Sequence, residues 1–172
     1  MDCTAASDKA KAAGVDAVNC TAGNPAPTAG DINKVYSISP TGRIEPSQLL
    51  TLTYYTDQTP LDTPTAPTLP AQVTAGGTAQ VGWTGYTCPS GTGAVSSYNL
   101  TAINGTFSIN GQSTAAFGPN DRSASIEVAN TTGTLTVKYT VTCTGAGGNR
   151  ATGDSPEANA QIGPATTPSS TP

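Results

Sequence analysis

From Thr134 to Cys143 (TLTVKYTVTC) polar and apolar residues alternate without a break. Thr134, Thr136, Lys138, Thr140 and Thr142 fall on one side, Leu135, Val137, Tyr139, Val141 and Cys143 on the other. A period of two sends successive side chains to opposite faces, so the segment predicts a strand with one face buried and the other wet. Weaker forms of the pattern predict strands near 69–74, 78–84 (Val81, Trp83 inward), 96–103 (Tyr98, Leu100, Ala102 inward), 105–110 and 112–117. Two more are expected near 123–129 (Ala124, Ile126, Val128 inward) and 157–162 (Ala158, Ala160, Ile162 inward). Turn residues separate them at Gly76-Gly77, Asn104-Gly105, Asn110-Gly111, Pro119 to Asp121 and Gly145 to Asn149. Asn-Gly is a strong hairpin signal because both residues tolerate positive φ. The expectation is an all-β sandwich over residues 71–163.

The first part of the chain is patterned differently. Between Ser7 and Val18, Ala10, Ala13 and Ala17 follow Ala6 at helical spacing, with Ser7 or Thr4 as the candidate N-cap and Asp8 in the first turn. Lys34 to Ser39 (KVYSIS) and Leu49 to Thr56 (LLTLTYYT) read as strands around a Pro-Thr-Gly turn, forming a hairpin arm. Pro60, Pro64, Pro67 and Pro70 among threonines favour an extended linker. The expected layout is therefore an N-terminal extension at 1–56, a linker at 57–70, the sandwich at 71–163 and a flexible Thr/Pro tail at 164–172. The extension reads as lacking a core of its own, which makes Tyr36, Ile38, Leu50, Leu52, Tyr54 and Tyr55 a candidate docking arm for other protein subunits. Tyr54 and Tyr55 are adjacent in a strand, so one must face out, and a covering domain or partner is expected over it.

A length of 172 residues suits one domain of about a hundred residues with a smaller appendage. Charged residues are 10% of the chain and the net charge is -4, with the seven Lys and Arg scattered, which argues against binding a phosphate backbone. No apolar run approaches the ~18 residues needed to span a bilayer, and no basic and apolar leader opens the chain, so it is read as leaderless or already trimmed. With no His and no Cys-x-x-Cys spacing, Cys3, Cys20, Cys88 and Cys143 read as two disulfides rather than a zinc site, in an oxidising setting such as the extracellular space or a virion surface. A helix of about eleven residues is ~16 Å long and arms to Cys3 and Cys20 reach ~10 Å each, so a bond between these two is feasible and would pin a helical loop.

Candidate chemistry is sparse. Without His, neither a Ser-His nor a Cys-His nucleophile system can form, and no dense acidic loop marks a calcium site. Asp121 and Glu127 are the nominal glycosidase pair, yet the alternation around Glu127 turns it to solvent. Asp154 near Asn149 is read as a solvated loop before a calcium ligand. The Asn-x-Ser/Thr sequences at Asn19, Asn99, Asn104 and Asn130 are expected from Thr-rich composition alone. No catalytic residue, metal or cofactor is expected, and Trp83 is assigned to the core.

Residues 81–100 (VGWTGYTCPSGTGAVSSYNL) and 134–162 resemble the fibronectin type III and immunoglobulin-like superfamily. Trp83 stands for the family's second-strand Trp, Tyr98 for its third-strand Tyr and Tyr139 for its sixth-strand Tyr. The resemblance covers about the last hundred residues and implies a Greek-key sandwich. It also implies that Cys88 and Cys143 lie at the same end of that sandwich, where a bridge would stiffen a rim loop. In antibody domains the Tyr lies two residues before the second Cys, whereas here the spacing is Tyr139-x-x-x-Cys143. Sequences this rich in Thr, Gly and Ala are also similar to immunoglobulin-like accessory domains on bacteriophage virions and to repeats on secreted bacterial proteins. That likeness implies a non-enzymatic structural or binding role: capsid decoration or a tail component first, and a secreted or cell-wall adhesion module second, with surface glycans as further candidate partners.

Overall fold

The computed structural model describes residues 1–165. Residues 166–172, most of the expected tail, lie outside the described residues. The chain divides into two compact units. One comprises Met1–Pro60 with the short segments Pro89–Thr92 and Ala146–Gly148, and the other Leu61–Cys88, Gly93–Gly145 and the chain from Asn149 on.

The first unit contains helix α1 (Cys3–Ala12) and strands β1 (Val18–Pro25), β2 (Val35–Ser39) and β3 (Leu50–Thr56). The helix starts earlier than its alanine spacing suggests. Asp2 is the N-cap, its carboxylate accepting the Ala5 N–H at 2.8 Å, and this satisfies a free first-turn donor that Thr4 or Ser7 was expected to serve. Its end lies at Ala12, and Gly14 takes φ 93°, a left-handed turn open to glycine. The three strands form one sheet in the order β1-β3-β2. β2 and β3 are the expected antiparallel hairpin, while β1 lies parallel on the other side of β3 from Val18 opposite Leu50 to Ala22 opposite Tyr54.

β1 was not expected, because VNCTAGNP has no apolar alternation to announce a strand. The view of this region as coreless is also corrected. Alternation along β3 aims Leu50 and Leu52 at the helix, where they are buried with Cys3 and Val15 and flanked by Ala6, Ala10, Val18, Val35, Ile44 and Tyr54. A disulfide between Cys3 on α1 and Cys20 on β1, with Cα atoms 6.1 Å apart, holds helix to sheet.

The second unit contains β4 (Gln72–Thr74), β5 (Thr78–Gly82), β6 (Ala94–Ile103), β7 (Gly105–Phe107), β8 (Thr114–Phe117) and β9 (Ser123–Val128). It continues with β10 (Gly133–Gly145), β11 (Gly148–Ala151, from its second residue on) and β12 (Ala158–Gly163). One sheet runs β4-β12-β10-β6-β8, with β11 also on β10, and the other runs β5-β9-β7. All of the named pairs in these sheets whose registers define them are antiparallel except β4 with β12. The inward residues of the two sheets form one core in which Val81, Tyr98, Phe107, Ile126, Leu135, Val137 and Val141 are all fully buried. Trp83 packs on Tyr98 and Phe117 with ring centroids 5.8 and 5.3 Å away. This is an immunoglobulin/fibronectin-like Greek-key sandwich.

Two local expectations change. Asn104-Gly105 makes no hairpin: Asn104, at φ 62°, is where the chain leaves β6 in the larger sheet and enters β7 in the smaller one. Its side-chain amide donates to the Thr134 carbonyl at 2.8 Å, which fixes the corner. The stretch expected as a turn at Gly145 to Asn149 is a tight hairpin whose return strand, β11, went unanticipated because GNRA is wholly polar or small.

Between β11 and β12 the edge of β10 is completed by two hydroxyls. The Thr152 Oγ1 accepts the Val141 N–H at 3.0 Å while the Thr152 N–H donates to the Val141 carbonyl at 2.9 Å. Ser155 does the same to Tyr139, at 3.0 and 2.8 Å. Thr152 and Ser155 are buried, so both hydroxyls stand in for backbone acceptors where no strand could pair.

Candidate binding surface

The six sequence-nominated docking residues do not share one surface. Leu50 and Leu52 are 5% and 2% exposed beneath α1, and Tyr54 packs at the margin of the same cluster. Ile38 sits opposite Leu52, hence on the helix side of the sheet, yet it is at the sheet's edge and 49% exposed. Tyr36 and Tyr55 occupy the other face. The register of β2 slips between Val35 and Ser37, which turns Tyr36 across the sheet onto Tyr55, with ring centroids 4.2 Å apart and planes 25° from parallel. Tyr55 is thus covered in part from within its own sheet, by the Tyr36 ring.

The sequence supplies a seat for this ring pair that pattern reading missed. The Tyr36 hydroxyl accepts the Asn24 N–H at 3.1 Å from β1, spanning all three strands. A Cβ at Gly23 would collide with that hydroxyl and with the Thr53 methyl, so only glycine admits the close approach. The one available signal is the Gly23-Asn24-Pro25 run, which reads equally well as a turn.

β2 is an edge strand. Its Val35 N–H donates to the Met1 carbonyl at 2.9 Å, and among the described residues no strand lies outside it from Tyr36 to Ser39. An unpaired edge offers a row of backbone donors and acceptors to another chain. Next to its start, Lys34 and Asp31 pair at 3.3 Å. The Thr28 hydroxyl, donating at 2.6 Å, and then Lys34 hold the Asp31 carboxyl below its ordinary range.

The outer face of the sandwich's larger sheet bonds mostly to itself. The Thr136 hydroxyl donates to Asn159 at 2.6 Å, the Asn99 amide to Thr142 at 3.1 Å and the Thr144 hydroxyl to Asn149 at 2.8 Å. Lys138 pairs with Asp154 at 2.6 Å, and the hydrogen bond to that carboxylate raises its pKa. Asp154 and Asn149, the nominal calcium ligands, are therefore each engaged by another side chain. Asp121 caps a turn by accepting the Gly118 N–H at 2.8 Å, while Glu127 is exposed on β9. Among the described residues, no three His, Cys, Asp or Glu side chains gather as a metal site, and no helix is long and apolar enough to cross a membrane.

Tyr98 and Tyr139, at 0% and 1% exposure, are core residues with ring centroids 6.1 Å apart. The Tyr98 hydroxyl accepts the Tyr86 N–H at 2.9 Å and so fixes the loop after β5. Cys88 in that loop is bonded to Cys143 near the end of β10, with Cα atoms 6.0 Å apart. Two disulfides are consistent with an extracellular protein.

No protein-family description and no curated protein matches the sequence. Among solved structures the chain is similar to the FN1–FN3 domains of chicken CNTN1, at 13% identity and a TM-score of 0.38. The match covers 67% of this chain and 35% of that one, so it spans about a third of the chicken protein's crystallised length. The assignment as a fibronectin-like sandwich rests on strand order and core, described above.

Proposed function

We propose that the chain is a non-enzymatic structural or binding protein that docks onto another protein subunit through the free edge of β2, with Tyr36 and Ile38 as flanking contacts. The observation that carries this reading is the unpaired strand from Tyr36 to Ser39 with both side chains exposed. Strand addition at such an edge uses main-chain hydrogen bonds for affinity and alternate side chains for selectivity. The setting proposed is a phage virion, as a capsid decoration or tail component, with the sandwich as the presented module. Sparse charge, a self-bonded polar sheet face and the Cys88–Cys143 bridge at the sandwich core support a durable exposed part.

Mass spectrometry of virions purified from the phage that encodes the chain tests the setting: the chain is expected at stoichiometric abundance. Its absence overturns the virion reading. A second reading, a secreted or cell-wall adhesion module, is favoured by the exposed Tyr36 ring, a flat surface on which a sugar can stack. It predicts glycan-array binding that Tyr36→Ala abolishes, whereas docking by strand addition predicts no glycan signal.

A further inference from the structure

We infer that Cys3–Cys20 is a thiol-exchange site, attacked at Cys20 by small monothiols of the glutathione class, and that Cys88–Cys143 is not. The two bridges differ in access. Cys20 lies on the exposed strand β1, and both Cys3 and Cys20 line an open hollow of about 350 Å³ with Asp2, Thr4, Asn33 and Tyr54. That volume is at the lower end of small-molecule pockets, which run from about 300 Å³. Cys143 is 0% exposed in the sandwich core and Cys88 is half-buried. Exchange requires in-line approach of a thiolate to one sulfur, so access decides which bridge reacts.

Within the first bridge, access also decides which sulfur is struck. Cys3 is 8% exposed beneath the helix, leaving Cys20 as the open end. A thiolate RS⁻ bonds to the Cys20 Sγ, the protein S–S bond breaks, and its electron pair leaves on the Cys3 Sγ, which takes up a proton. A second RS⁻ then attacks the sulfur of the bound R group, forming RSSR and releasing Cys20, which is protonated in turn. Two thiols are oxidised to one disulfide and the protein disulfide is reduced to two thiols. Cys3 departs at the first residue of α1, the positive end of the helix, while the adjacent Asp2 carboxylate opposes that charge, which leaves access to decide the site of attack.

Reduction has a structural consequence. Cys3 is the one buried residue of α1, and a ten-residue helix is below the ~12–15 residues at which isolated helices become even marginal. Opening the bridge releases α1 and uncovers Leu50 and Leu52.

The test uses the full native chain with graded reduced glutathione, acid quench, alkylation and peptide mass spectrometry, followed by amide exchange. Cys3 and Cys20 are expected to become modified about tenfold or more faster than Cys88 and Cys143, with glutathione trapped on Cys20 and faster exchange across residues 3–12. Equal rates, earlier opening of Cys88–Cys143, or glutathione on Cys3 overturn the site. Opening with unchanged exchange across 3–12 overturns the release of α1.

Discussion

Ser155→Ala removes the buried acceptor of the Tyr139 N–H at the edge of β10, together with the hydroxyl's own bond to the Pro156 carbonyl. In the native chain the Ser155 hydroxyl accepts the Tyr139 N–H at 3.0 Å and donates to the Pro156 carbonyl at 3.0 Å. Ser155 is 4% exposed and Tyr139 1%, so water cannot replace the lost acceptor without displacing the segment that carries it. Alanine removes little volume and leaves an N–H desolvated and unpaired, a loss of about 1–3 kcal/mol. Taking ~2 kcal/mol and ~4–8 °C per kcal/mol for a domain of this size, the sandwich should melt about 8–16 °C lower. Trp83 fluorescence is a suitable readout because it is the chain's one tryptophan and lies in the sandwich core. Thr152→Val, which keeps the branched shape and removes the acceptor of the Val141 N–H, should fall in the same range. Thr152→Ser, keeping the hydroxyl, should cost less. Melting temperatures for Ser155→Ala and Thr152→Val within about 2 °C of the parent would refute the role assigned to these hydroxyls.

Leu52→Ala, at a site 2% exposed, should destabilise the N-terminal unit by about 2–5 kcal/mol, seen as faster amide exchange in α1 and β3 while Trp83 fluorescence is unchanged. Gly23→Ala should unseat the Tyr36 ring, and loss of the Tyr36–Tyr55 near-ultraviolet circular dichroism signal would report it. Asp31 has its folded pKa lowered, first by the Thr28 hydroxyl and then by Lys34, so its contribution is full above the ordinary carboxylate pKa of 3.8 and is lost as pH falls through the folded value. A carboxyl carbon titration by NMR should place its midpoint below 3.8, and Thr28→Ala should move that midpoint upward. Lys138 is the opposite case: its pKa is raised above 10.5 by the bond to Asp154, so the pairing is lost as alkaline pH rises through the folded value, and Lys138→Met should lack that alkaline loss of stability.

The sandwich was readable because burial there follows a strict period. Every second residue from Leu135 to Cys143 is fully or almost fully buried, and a two-residue repeat of that length has no helical counterpart. Trp83, Tyr98 and Tyr139 entered the core as expected for the same reason. Asn104-Gly105 was misread because positive φ at Asn104 serves a change of sheet as readily as a hairpin, and only the position of β9 distinguishes the two. β1 and β11 carry small and polar residues, so their pairing is decided by neighbours rather than by their own pattern. The small N-terminal core escaped notice because its contributors, Cys3, Val15, Leu50 and Leu52, are separated along the chain and meet through a parallel pairing. Tyr36 and Tyr55 were singled out as docking residues, but their stacking depends on a register slip in β2 that no periodicity encodes.

Docking at the edge of β2 is tested most directly by amide exchange of the chain alone and mixed with virions of the proposed phage. Residues 36–39 should gain protection on binding, while the self-bonded face at Thr134 to Thr144 exchanges as in the free protein. Protection confined to the sandwich, with 36–39 unchanged, would contradict the account.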